Sequence, residues 1–182
     1  YILVAHPSFP ANTTAELVAL AKKDPGKLNF ASYGTGSSNH LATELLKSMT
    51  GIDIVHVPYK GAAPAINDLI GGQVQFMFEV FATSGPHLRA GKLKLLGVGG
   101  PKRSPLAPDT PTLAESGVQG FDAGTFVALF APAATQAAIV TTLSTGVQRA
   151  VADSSTRERL VGLGVEVEDG TQQALVDRVA SE

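Results

Sequence analysis

Asn29-Phe30-Ala31-Ser32-Tyr33-Gly34-Thr35-Gly36-Ser37-Ser38-Asn39-His40-Leu41 reads as a short buried strand, a turn of glycine and hydroxyl residues, and the opening of a helix. Leu28, Phe30 and the small residues after them suit the strand, while Leu41, Ala42, Leu45, Leu46 and Met49 recur at helical spacing and predict one inward apolar face. Between the two, Gly34 and Gly36 permit backbone angles closed to other residues and let a ligand approach the main chain. Ser37 or Ser38 is placed to cap the helix, whose first N–H groups and positive dipole end would face the turn. A carboxylate, sulfate or phosphate fits such a cradle, held by N–H and hydroxyl donors of Gly34, Thr35, Gly36, Ser37 and Ser38. An ordinary, well-capped strand-to-helix connection has the same pattern, so the stretch leaves both readings open.

Working outward, the chain alternates strands and helices. Residues 1–5 open as an apolar strand, Thr13-x-x-Glu16 is a capping box, and Leu17, Val18, Leu20 and Ala21 form the inward side of the helix it starts. Gly51 closes the cradle helix ahead of a strand at residues 52–57, and a turn at residues 58–61 leads into a helix with Ile66, Leu69 and Ile70 inward. Further strands are expected at residues 74–81 and 94–98, with a short helix between them capped at Thr83 to Pro86. Strand-helix alternation of this kind indicates an α/β fold, a parallel or mixed sheet with helices on both faces. Residues 99–111 read as a surface loop, residues 113–116 as a short helix and residues 121–131 as an extended segment. Helices at residues 135–152 and 154–163, a short strand at residues 165–167 and a last helix complete the chain. A domain crossover is expected between Gly120 and Thr125, giving domains of residues 1–122 and 123–182.

Composition narrows the function. The 182 residues are 44% hydrophobic, enough for a proper core. A net charge of −2 and 6% aromatic residues give no general attraction to nucleic acid, so no nucleic-acid partner is expected. The absence of cysteine excludes disulfides and thiolate chemistry. No run of 18 apolar residues reads as a membrane span. The chain begins at Tyr1 directly in a strand, and its last helix stops without a cap, both of which suggest a fragment.

Enzyme signatures fail one by one. Gly34-Thr35-Gly36 lacks the third glycine of a dinucleotide fingerprint, no lysine follows at phosphate-loop spacing, and Ser38 lacks the final glycine of a nucleophile elbow. His6, His40, His56 and His87 are dispersed without an i,i+4 pair, so no metal and no cofactor are implied. His40, in the first turn of the cradle helix, is placed to donate to the same anion or to the backbone. Glu79, near the end of an apolar strand, and Tyr59, after another, lie where ligands of open α/β sheets bind. Arg89, Lys92, Lys94, Lys102 and Arg103 form a loosely basic, solvated face.

Pro25-Gly26-Lys27-Leu28-Asn29, Gly34-x-Gly36-Ser37-x-x-His40-Leu41, His56-Val57-Pro58-Tyr59-Lys60-Gly61-x-x-Pro64-Ala65, Asp68-Leu69-Ile70-Gly71-Gly72-Gln73-Val74, Lys102-Arg103-Ser104-Pro105 and Pro111-Thr112 occur in that order. This pattern resembles the Bug family, the periplasmic solute receptors of tripartite tricarboxylate transporters, over essentially the whole chain. The resemblance implies a receptor of periplasmic-binding-protein type II, with two α/β lobes closing on a small carboxylate for delivery to a membrane permease. Residues 1–122 would be the second lobe and residues 123–182 the C-terminal part of the first, whose opening half is absent. It also places the carboxylate loop on Gly34 to Ser38 with His40 beside it, and implies a periplasmic location; with the opening half of the first lobe missing, two fragments completing one another is a further reading. Glu79 stands where the family more usually has aspartate, lengthening the reach into the cleft by one methylene. The competing readings are an α/β enzyme using His40 as acid or base on an anionic substrate, and a module that kept the lobe and lost its ligand.

Overall fold

The computed structural model describes residues 1–165, 167–168 and 170–181 and divides after Thr125 into two compact units. The first unit, Tyr1–Thr125, carries a five-stranded sheet built from β1 (Ile2–Ala5), β2 (Asn29–Ser32), β3 (Val55–Pro58), β4 (Phe76–Glu79) and β5 (Lys94–Val98). Its helices are α1 (Thr14–Lys23), α2 (Ser38–Thr50), α3 (Ala62–Ile70) and α4 (Phe81–Arg89). The strand order is β3-β2-β4-β1-β5.

Direction within the sheet is mixed. β2 runs parallel to β3 and β4, but β1 runs antiparallel to both its neighbours, β4 and β5. The carboxyl ends of β2, β3, β4 and β5 therefore share one edge with the amino end of β1. Side chains alternate between the two faces as the period of two requires, except across the register irregularity between β1 and β5 opposite Leu3 and Val4, where Leu96 and Val98 face opposite sides. Phe30, Phe76, Phe78, Leu3 and Leu96 pack with Leu17 and Ala21 of α1 and with Ala42 and Leu46 of α2. On the other face Ile2, Val4, Ala31, Met77 and Val98 pack with Ala65, Ile66 and Leu69 of α3, flanked by Phe81 and Leu88 of α4. Helices thus cover both faces of a mixed sheet. At the shared edge, Gly99 donates to Tyr1 O and Ala123 donates to Gly99 O, both at 2.8 Å, so the first and last segments of the unit lie side by side.

Several expectations change. The expected inward face of α2 is rotated: Leu41, Leu45 and Met49 are 57%, 38% and 40% exposed, while Asn39, Ala42, Thr43 and Leu46 are buried. The polar work of Asn39, described below, sets this rotation. α4 begins at Phe81 rather than at a Thr83 cap, because the Ser84 hydroxyl donates to Val80 O at 2.7 Å and Pro86 sits within the helix. In place of a helix, residues 113–116 form a turn, closed where Ser116 donates to Thr112 O at 3.0 Å. Asn12 N–H, rather than Thr13, is the amide that Glu16 reaches back to, at 2.6 Å, while Glu16 N–H donates to Thr13 Oγ1 at 3.2 Å.

The second unit begins at Phe126 and contains α5 (Ala137–Ala152), α6 (Ser154–Gly162) and α7 (Gln172–Ser181). Asp153 caps α6: its carboxylate accepts from the Ser155 hydroxyl at 2.7 Å and from Thr156 N–H at 2.8 Å, which hold the carboxyl below its usual range. No residue of α5 or α6 is buried. The strand expected at residues 165–167 includes Glu166, which lies outside the described residues; Val165 and Val167 belong to no strand.

Candidate anion-binding site

The turn between β2 and α2 sits at the shared strand edge, and its shape depends on two glycines. Gly34 has φ +135°, and a Cβ there would stand 3.3 Å from the Tyr59 carbonyl oxygen, so a side chain would be both strained and crowded. Gly36 has φ +81°, and a Cβ there would meet nothing within 4 Å. The turn is therefore backed by protein at Gly34 and open at Gly36.

Ser37 is the N-cap of α2, yet its hydroxyl makes no cap hydrogen bond. Ser37 Oγ lies 2.6 Å from Gly34 O and 2.8 Å from Asn39 Oδ1, folding the turn on itself instead of closing the helix end. The first N–H groups of α2, those of Ser38 and Asn39, have no intrahelical acceptor by the geometry of any helix start. Ser38 Oγ lies 2.5 Å from the Tyr1 hydroxyl at the amino end of β1. Thr35 and Gly36 are exposed.

Asn39, which the sequence did not single out, organises the turn. It is buried; its Oδ1 accepts from Tyr33 N–H at 3.3 Å and from Ser37, and its Nδ2 donates to Phe78 O at 3.2 Å, tying turn, helix and β4 together. His40 comes back to the turn by accepting Gly36 N–H on Nδ1 at 3.3 Å.

Tyr59 and Glu79 meet this arrangement indirectly. Tyr59 contributes its backbone, donating N–H to Ser32 O at 3.0 Å and closing against Gly34, while its hydroxyl turns to Asp68 of α3 at 2.7 Å. Burial and that carboxylate push the Tyr59 phenol up to about 12. Glu79 lies on the Met77 face of the sheet, fully buried, and its Oε1 accepts from the Tyr33 hydroxyl and from Val80 N–H at 2.8 Å. Its Oε2 is buried without a hydrogen-bond partner. Burial raises the Glu79 carboxyl above its usual range, against the smaller opposing effects of Tyr33, Val80, Thr83 and His87. The Tyr33 phenol is raised in turn, first by burial and then by Glu79.

Chemically, the site offers main-chain N–H groups and hydroxyls at a helix N-terminus, with a buried acid behind them. Among the described residues no group of three or more His, Cys, Asp or Glu side chains is placed to hold a metal ion. Gly34, Thr35, Gly36, Ser37, Ser38 and His40 are brought together; Tyr59 adjoins them through its backbone, and Glu79 connects through Tyr33.

A family description, the tripartite tricarboxylate transporter family receptor TctC, matches residues 1–182. The chain belongs to the TctC receptor family. The fold of this TctC chain is that of solved relatives. It superposes with a TM-score of 0.92 on Rpa4515 of R. palustris, solved with adipate, at 36% identity over 99% of this chain and 60% of that one. With the periplasmic binding protein BugD the TM-score is 0.88 at 35% identity, covering 99% and 61%. With MatC of Rhodopseudomonas palustris, which holds bound malate, it is 0.81 at 36% identity, covering 90% and 55%. The chain spans about half the length of two curated relatives it matches, from Pseudomonas sp. strain P51 and Bordetella pertussis, which are 36% and 35% identical to it. The family and its solved members are solute-binding receptors, not enzymes, which removes the reading of His40 as a catalytic acid or base.

Proposed function

We propose that this chain supplies one binding wall of a periplasmic receptor that captures a small carboxylate for a tripartite tricarboxylate transporter. The observation that carries the reading is the open turn at Gly36, set at the N-terminus of α2 and at the strand edge, in a family of which one solved member is described with adipate and another with bound malate. One ligand carboxylate sits against the main-chain N–H groups and hydroxyls of Gly34, Thr35, Gly36, Ser37 and Ser38, with His40 beside it. Such donors recognise an anion through its charge and oxygen geometry, and ordered water serves as a bridge where a direct contact falls short. Tyr59 supports the turn through its backbone against Gly34, and Glu79 acts on the cleft through Tyr33. The second wall comes from the remainder of a two-lobed receptor, in the same chain or in a complementary one. Closure turns on the segment around Gly120 to Thr125, and the closed form docks on the membrane permease.

The test is a calorimetric and thermal-shift panel of malate, adipate, citrate and acetate. It is run on this chain and on a chimera carrying the remaining half of the adipate-bound relative. Ligand at about 100 times its dissociation constant adds about 2.7 kcal/mol, a rise in Tm of roughly 5–10 °C for a chain of this size. Gly36→Val, which forces a branched side chain onto φ +81°, should abolish the shift. No shift with any acid in either protein would overturn the reading.

A further inference from the structure

His40 of α2 and His56 of β3 stack, their ring centroids 4.1 Å apart and their planes at 29°. Phe30 of β2 joins them, 4.8 Å from His56 and 6.3 Å from His40. Each imidazole reaches the cradle turn. His56 Nε2 lies 2.6 Å from Ser32 Oγ, which in turn accepts Gly34 N–H at 3.1 Å. His40 Nδ1 accepts Gly36 N–H at 3.3 Å, an arrangement that needs a lone pair on that nitrogen and hence a neutral ring.

A proton on His40 Nδ1 turns this acceptor into a donor facing another donor. Gly36 N–H must then leave it, and nothing lies within 4 Å of where a Gly36 side chain would stand, so the turn has room to move there. The charged groups facing the pair are Glu44, whose Oε1 lies 3.9 Å from His40 Nε2, and Lys47, which is paired with Glu44 at 2.9 Å. β2 and β3 carry no titratable residue other than His56, and Glu79 of β4 lies on the opposite face of the sheet with Met77. Two imidazolium rings stacked this closely repel strongly, so the pair accommodates one proton at a time. Burial, then the neighbouring His40, hold His56 below the usual histidine range.

Building on the carboxylate-receptor reading, we propose that anion capture at the cradle takes up one proton on His40, with His56 as its neutral stacked partner, and redirects Gly36 N–H to the ligand. The protonated ring adds a positive charge beside the anion, and the freed amide adds a donor. Carboxylates are therefore held more tightly as pH falls from 8 to 6.

Two measurements test this. In an NMR titration of the 182-residue chain, the His40 ring and the Gly36 amide should share one midpoint, with His56 neutral throughout that step. Independent titration of both rings with a stationary Gly36 amide overturns the proposal. Calorimetry with malate and adipate on the chain and the chimera, in buffers of different ionisation heat, should show net proton uptake averaging about half a proton between pH 8 and pH 6 and, with it, about ten-fold tighter binding at pH 6 than at pH 8. His40→Gln should remove both effects. Equal affinity at the two pH values without proton uptake overturns the linkage while leaving the carboxylate reading intact. No binding of any acid at either pH overturns the carboxylate reading and the linkage that rests on it.

Discussion

Glu79 combines complete burial with one satisfied and one unsatisfied carboxylate oxygen. Burial raises its pKa in the folded chain, so between the ordinary glutamate value and that raised value the folded state holds more protons than the unfolded one. Stability from this group is thus fully present at acid pH and declines as pH rises through the folded value. Replacing the carboxylate by an amide removes the charged form. Glu79→Gln should change Tm little at pH 5 and raise it by a few °C at pH 8, read by calorimetry at the two pH values. A shift equal at both would mean that the native carboxyl does not titrate between them. At this scale the sequence was partly legible. Gly34, Gly36 and the hydroxyls announced a turn at a helix start, but Asn39 looked like one more polar residue in a first helical turn. Nothing local marks it as the residue that ties Tyr33, Ser37 and Phe78 together. The stack of His40 on His56 was hidden for a similar reason, since it depends on how α2 lies across β3 and not on spacing along either.

For α2 the apolar periodicity allowed two neighbouring faces, one through Leu41, Leu45 and Met49 and one through Ala42 and Leu46. Hydrophobicity favoured including the larger set, but the demands of Asn39 and Thr43 turned it outward; Thr43 donates to Asn39 O at 3.0 Å from within the helix. Two substitutions separate the faces. Leu46→Ala should cost about 2–5 kcal/mol as a truncation in a closed core, and Leu45→Ser should stay within about 1 kcal/mol, both read from urea unfolding. Similar losses for the two would restore the broader inward face. The strands show what such patterns do and do not carry. β5 was legible to the residue, and the helices covering both faces were expected, yet the reversed direction of β1 was not. Ile2-Leu3-Val4-Ala5 is apolar throughout and suits a fully buried strand in either direction.

Over the whole chain the two units differ in how well they bury themselves. Unit 1 has two cores, one on each face of its sheet, whereas α5 and α6 expose Ile139, Leu143 and Val161 and bury nothing. Residues 1–125 expressed alone should therefore melt in one cooperative step, while residues 126–182 alone should show weak helicity and no cooperative transition, because isolated short helices are marginal in water. Circular dichroism of the two pieces checks this, and a non-cooperative melt of residues 1–125 would contradict it. Entry and exit of unit 1 meet at neighbouring positions, through Gly99 to Tyr1 and Ala123 to Gly99. A polypeptide that begins and finishes at one spot behaves as a cassette: it can be spliced into a surface loop of an unrelated host without prising that loop apart, carrying its glycine turn with it.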